Sequence, residues 1–174
     1  MSMIISNTAT TLSKQTDAYT IKNPSKVTNE FTITDEFKAA EALRLKSQET
    51  INELKEFLKD YDMTSISSED LRRVGGKLYY NNLIDRDAFY LFILGDGAND
   101  VHGKPTKTDV KFNAIALFNE RLEDHIAYFK SDRYSKPEHV AYILGGMRGA
   151  NQAINALAYL SNATISTLSI DEHA

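Results

Sequence analysis

Asp96, Asn99, Asp100 and His102 crowd one glycine-rich stretch, Gly95-Asp-Gly-Ala-Asn-Asp-Val-His-Gly-Lys-Pro105. Carboxylates, a carboxamide and an imidazole this close together are a donor set for a divalent cation, which takes oxygen ligands when hard and nitrogen when borderline. Asp96, Asp100 and His102 are therefore the candidate metal ligands. The spacing departs from the calcium-loop pattern D-x-[DN]-x-[DN]-G, and no acidic residue stands where the closing bidentate ligand belongs. Asp, Asn and Gly are also what any long turn prefers, because they tolerate left-handed backbone and bond their own amides.

The other histidines carry less chemistry. His125 ends the triplet Glu123-Asp124-His125, with Phe129 one turn on; acidic neighbours raise an imidazole's proton affinity, but nothing in sequence places a nucleophile or a second ligand beside it. His139 lies just inside an expected helix start and His173 in the expected tail. The chain contains no GxSxG, HExxH, P-loop or dinucleotide fingerprint, and no strand precedes Leu94-Gly-Asp-Gly-Ala98 as the last of these requires. No cofactor is implied.

Two further sets point to recognition rather than reaction. Gly145, Gly146 and Gly149 fall within five positions of a helical segment, where each glycine costs up to about 1 kcal/mol relative to alanine and so needs a compensating reason. Close approach of another helix supplies one, from inside the fold or from a partner. Tyrosine is abundant while tryptophan is absent, and adjacent aromatics such as Tyr79-Tyr80 and Phe89-Tyr90 cannot share one helical face. Gly145, Gly146, Gly149, Tyr80, Tyr90 and Tyr142 are accordingly the candidate partner-binding residues, amphipathic tyrosines being common where proteins meet.

The elements that position these residues read as helices. Ile66-Ser-Ser-Glu-Asp-Leu71 and Ile84-Asp85-Arg-Asp-Ala-Phe89 write two helix starts in one code: Ser67 and Asp85 as caps, an apolar residue before each, and Leu71 or Phe89 at the fourth helical position. Asn81 or Asn82 can take the left-handed conformation that ends the first of them, which predicts a tight helical hairpin over 67–94. Thr34 or Asp35 caps a longer helix to about Tyr61, whose apolar stripe thins over Lys46-Ser-Gln-Glu-Thr50, a place for a bend. Past the 95–105 loop, Thr106 or Thr108 restarts a helix with Phe112, Ile115, Leu122, Ile126 and Phe129 on one face, ending before Asp132. Ser135-Lys-Pro-Glu138 is a capping box for the last helix, on which Val140, Ile143, Met147, Ala150, Ile154 and Leu157 form a seam.

The expected fold is all-α: a bundle of four to five helices over 35–162, with the short hairpin and a C-terminal tail at 163–174. Residues 1–34 are rich in Ser, Thr, Asn and Lys with apolar residues scattered singly, too few to offset their ordering entropy. They are expected to form a polar, largely disordered arm, with docking along a groove as the alternative. The chain has no cysteine, which removes disulfides and thiolate chemistry and suits a reducing compartment. A net charge of -4 and a pI near 5.6 argue against a general polyanion binder. No apolar run is long enough to cross a bilayer, and Met3-Ile4-Ile5 is followed at once by polar residues, unlike a secretory signal.

The leading functional expectation is a cytoplasmic, non-enzymatic helical interaction protein: an adaptor, chaperone-like binder or regulator of a bacterial-type assembly. The polar, cysteine-free arm is compatible with type III or flagellar-type export without a cleavable signal, and a protein partner or self-association is expected. The alternative is an enzyme or metal-binding protein with its site around the 95–105 loop. The third reading is a DNA-binding regulator using the 67–94 hairpin, against which the second helix counts: it offers acid and hydrocarbon, Asp85-Arg-Asp-Ala-Phe-Tyr-Leu-Phe-Ile-Leu94, where phosphate contacts and base reading would be needed.

Overall fold

The computed structural model describes residues 15–171, with side chains to 162. Six helices make the fold all-α: α1 Glu36–Ala42, α2 Gln48–Leu58, α3 Ser68–Tyr80, α4 Arg86–Leu94, α5 Ala114–Ser131 and α6 Pro137–Asp171. A two-residue ladder, β1 Ile66–Ser67 against β2 Lys111–Phe112, is antiparallel with Ile66 opposite Phe112. The helices number six among the described residues, rather than four to five, because the expected first helix is two. Its polar stretch is a helix start. Ser47 Oγ accepts from Thr50 N at 3.2 Å while Thr50 Oγ1 accepts from Ser47 N at 3.3 Å, a reciprocal cap that stabilises the first turn of α2. Arg44 just before it turns left-handed at φ 55°.

The hairpin closes as its sequence requires. Ser67 Oγ accepts from Asp70 N at 3.1 Å, Ile66 and Leu71 are both buried, and Asn82 has φ 58° while Leu83 N donates to Leu78 O. Asp85 is at the expected cap position of α4 but makes no side-chain cap bond. Its carboxylate instead takes the Arg44 guanidinium at 2.8 Å, a partner outside the reach of local pattern. Two other expected starts shift. Residues 106–113 are loop and β2, and Asn113 caps α5, accepting from Ala116 N at 3.1 Å. Ser135 donates its hydroxyl to Asp132, and α6 begins at Pro137 and continues to Asp171, into the segment expected as tail.

α6 is the axis of the bundle, with α1, α2, α4 and α5 packed around it. From Ala150 to Ala158 every residue but Gln152 is buried, the signature of a helix enclosed on all sides. The seam read from sequence closes on the chain's own helices from Met147 onward. α5 is buried all round over its first half, Ala114 through Leu122, including Asn119, Glu120 and Arg121.

The cause is the arm. Residues 15–34 carry no helix, and the docked alternative holds for them: Tyr19, Ile21, Phe31 and Ile33 pack against the core, and the chain crosses the outer face of α5 as a strap. Glu120 accepts from Lys22 N at 2.7 Å and Asn23 N at 2.8 Å. Asn113 Nδ2 donates to Pro24 O and Lys26 O. Few apolar residues suffice because polar side chains already ordered on α5 supply the remaining bonds. The expectation for residues 1–14 lies outside the described residues.

Candidate functional site

Helical spacing builds one cleft from three elements. α4 presents Asp87, Tyr90, Leu91 and Leu94, α5 presents Arg121 and His125, and α6 presents Tyr142, Ile143, Gly146 and Met147 around a volume of about 460 Å³. Steps of three and four residues put each set on a single helix face. His125 and Ile143 also line an adjoining hollow of about 450 Å³ with Asp124, Tyr128 and Phe129, so the two make one groove along α5 and α6. Its walls are mainly hydrocarbon and aromatic. Tyr90 is 61% exposed, Tyr142 54% and Tyr128 61%, so large apolar rings stand at the rim in water.

The polar groups of the cleft have defined partners. Tyr142 donates its hydroxyl to Asp87 Oδ1 at 2.5 Å, tying α6 to α4 across one end. His125 Nδ1 lies 2.8 Å from Arg121 O; a carbonyl only accepts, so Nδ1 carries the proton and Nε2 the lone pair in the neutral ring. Arg121 is 8% exposed, with Nη1 donating to Gly95 O at 2.6 Å and its guanidinium 5.3 Å from the Tyr19 ring centroid. Burial lowers its proton affinity from the ordinary arginine value, and Asp96 and Tyr19 oppose that. On the strap side, Asp124 is held below the usual carboxylate range by hydrogen bonds from Lys22 and then Tyr19. Tyr19 is pushed up by desolvation and by its bond to Asp124.

The structure gathers five of the six residues singled out for partner binding. Tyr90, Tyr142 and Gly146 line the cleft, and Gly145 and Gly149 line a shallower hollow beyond the Tyr142–Asp87 bond, of about 280 Å³. Tyr80 stands apart at the end of α3, edge-on to Tyr79 and Phe89. The glycines do not act alike. A Cβ on Gly146 would lie 2.9 Å from Asp87 Cβ and one on Gly149 3.6 Å from Ala88 Cβ, whereas one on Gly145 meets nothing within 4 Å. Gly146 lets the α4 and α6 backbones approach inside the fold.

The metal candidates do not converge. Asp96 is buried, its Oδ1 accepting from Ala98 N at 3.2 Å and from Ser68 Oγ at 3.3 Å. Asp100 Oδ1 accepts from His102 N and Lys104 N, and those amides hold its carboxyl below the usual range. His102 is exposed. Both carboxylates close the loop, and among the described residues no three His, Asp or Glu side chains form a group able to hold an ion. In the 67–94 hairpin, Ala88, Leu91 and Phe92 of the second helix are buried, and α4 is packed between α3 and α6.

Sequence reasoning missed Asp87, Leu91, Leu94, Arg121, Ile143 and Met147 as cleft residues. One signal was present. Asn119-Glu120-Arg121 interrupts an otherwise apolar helix start, and polar residues there imply partners supplied by something covering the helix. The class defined by fold and site is an all-α bundle with an apolar, tyrosine-rimmed groove. Comparison with protein-family models, with curated proteins and with solved structures finds no match. No helix among the described residues is long and apolar enough to cross a membrane.

Proposed function

We propose that this chain is a non-enzymatic interaction protein, an adaptor or chaperone-like binder, that receives an apolar helical segment of a partner protein in the groove between α4, α5 and α6. The observation that carries this is the pair Tyr90 and Tyr142, more than half exposed on the rim of a mainly apolar cleft. Rings so placed lose little conformational freedom on binding and bury large area. The walls of the cleft come from three helices, and an amphipathic helix binds such an apolar groove through anchors at three- and four-residue spacing. Regulation of a larger assembly, and an association with type III or flagellar-type export, extend the same proposal through the polar composition of residues 1–34.

The test places a photo-crosslinking amino acid at position 90 of the full chain in its native source. A discrete partner protein is expected, with at least tenfold less of it after Leu94→Glu, which puts a charge on the partly exposed wall of the cleft while circular dichroism stays unchanged. Crosslinking that is diffuse, or indifferent to Leu94→Glu, would sink the proposal.

A further inference from the structure

The outer face of α5 is built to bind polypeptide main chain. Glu120, 3% exposed, uses both carboxylate oxygens on two successive amides, Lys22 N at 2.7 Å and Asn23 N at 2.8 Å. One turn or more away, Asn113, 4% exposed, donates to Pro24 O at 2.9 Å and Lys26 O at 3.0 Å, while its own oxygen caps α5. At the other end Thr16 and Asn99 exchange both amide bonds, Thr16 N to Asn99 O at 3.1 Å and Asn99 N to Thr16 O at 2.9 Å, and Tyr19 N donates to Asp96 O at 2.8 Å. Charge-assisted bonds from amides to a carboxylate are stronger than neutral ones, and none of these contacts reads a side chain.

Selectivity comes from side chains: Ile21 packs against the core, Thr16 Oγ1 donates to Gly97 O at 2.7 Å, and two more side chains meet α5. Tyr19 donates its hydroxyl to Asp124 Oδ2 at 2.5 Å and stacks on Arg121, and Lys22 pairs with Asp124 at 2.6 Å. The α5 face therefore accepts an extended segment of the form Tyr-x-Ile-Lys. Residues 19–22 of this chain are that segment. It is joined to α1 through residues 27–35, which hold turns but no helix or strand.

We propose that this face is a peptide-binding site whose ligand in trans is residues 16–26 of a second copy of the chain. Every bond of the closed monomer is available to an exchanged strap without new complementarity, which is why reciprocal exchange of an identical element is a low-cost route to a dimer. The tether gives the chain's own strap an effective concentration of order 1 mM, so exchange populates as protein concentration approaches that value. This surface adjoins the α4–α6 groove, sharing Arg121 and Asp124 with its lining, but the experiments below read strap exchange alone and not capture of a partner in the groove.

The cysteine-free sequence makes the test direct. Residues that exchange both amide bonds across an antiparallel pair sit about 5.5 Å apart at Cα, within disulfide range. Full-length Thr16→Cys and full-length Asn99→Cys are mixed near 1 mM and oxidised; a mixed disulfide dimer several-fold in excess over like-with-like dimers is expected. Equal yields of mixed and like dimers overturn the proposal. A second measurement survives poor folding of either variant. A labelled peptide of residues 15–26 is titrated into the full chain carrying Tyr19→Ala and Lys22→Ala, which loosen the resident strap without altering α5. Saturable binding is expected, at least tenfold weaker for a peptide with the same two alanines. No binding up to about 1 mM overturns the site, and peptide binding without the mixed disulfide overturns the second copy as its ligand.

Discussion

Replacing Gly146 by alanine and, separately, Gly145 by alanine isolates the close approach of α4 and α6. Both positions are inside α6, so both substitutions gain up to about 1 kcal/mol of helix propensity, and that gain cancels in their difference. What remains is the room for a methyl group. At 145 a Cβ meets nothing within 4 Å, whereas at 146 it lies 2.9 Å from Asp87 Cβ and 3.5 Å from the Asp87 carbonyl carbon. Those atoms cannot swing away as a side-chain tip would. Asp87 is also fixed by the Tyr142 hydroxyl, so α4 itself must shift, and overpacking of this kind costs about 1 to 3 kcal/mol. Gly145→Ala is expected to be more stable than the parent by up to about 1 kcal/mol. Gly146→Ala is expected to fall below Gly145→Ala by about 1 to 3 kcal/mol, or at least 2 °C in melting temperature for a domain of this size. Urea unfolding of the two variants reads the difference directly, since their unfolded chains are equivalent. Equal stabilities would refute the reasoning and move the α4–α6 contact away from Gly146. The neighbouring pair in α3 offers an internal repeat: a Cβ on Gly75 would lie 2.4 Å from Phe92 Cβ and one on Gly76 meets nothing, so Gly75→Ala is expected to be the less stable of the two.

Three other perturbations follow from single interactions. Glu36 is held below the ordinary carboxylate range first by a hydrogen bond from Lys55 and then by one from Gln48; a depressed folded value means stability present above the unfolded pKa near 4.3 and lost as pH falls through the folded one. The advantage of the parent over Lys55→Met in urea unfolding is expected to be constant between about pH 5 and 7 and to decline progressively once pH falls below about 4. Asn151 is fully buried and donates from Nδ2 to Phe118 O and Met147 O at 3.0 Å each. Asn151→Asp replaces that donor by a charge facing two carbonyls and should cost at least about 3 kcal/mol, with thermal melting as the check. Arg121→Met removes the stacking partner of Tyr19, worth about 1 kcal/mol when partly desolvated, so hydrogen exchange at the Tyr19 amide should quicken about fivefold while exchange in the second half of α6 is unchanged.

The features legible in the sequence are those whose partners lie within a few residues. Ser67 on Asp70 N, Asp35 on Lys38 N and the left-handed Asn82 are closed by bonds spanning three to five positions, so residue type at fixed spacing is sufficient to predict them. The break at 95–105 and the end of α5 at Ser131 follow equally from local chemistry. Asp85 marks where this stops. It occupies its predicted position, yet its carboxylate goes to Arg44, 41 residues earlier. The same limit explains Ser47: within a single long helix its stretch reads as a thinned stripe, and only the turn at Arg44 makes it a start.

The site lies beyond that limit altogether. Arg121 joins the cleft because α4 ends above it at Gly95, and the strap is ordered because Lys22 meets Asp124 across 102 positions and Asn23 meets Glu120 across 97. Composition alone fixes that residues 15–34 lack the apolar surface to fold by themselves. Whether they find polar partners already held in place on α5 depends on which helix passes beside them, and that is decided by packing around α6. Local hydrogen bonds and periodicity thus determined the helical class, the α3–α4 hairpin, the start of α1 and the end of α5, whereas the other helix ends, the groove, the strap and the buried Asn113 and Glu120 that hold it exist only once distant segments have been brought together.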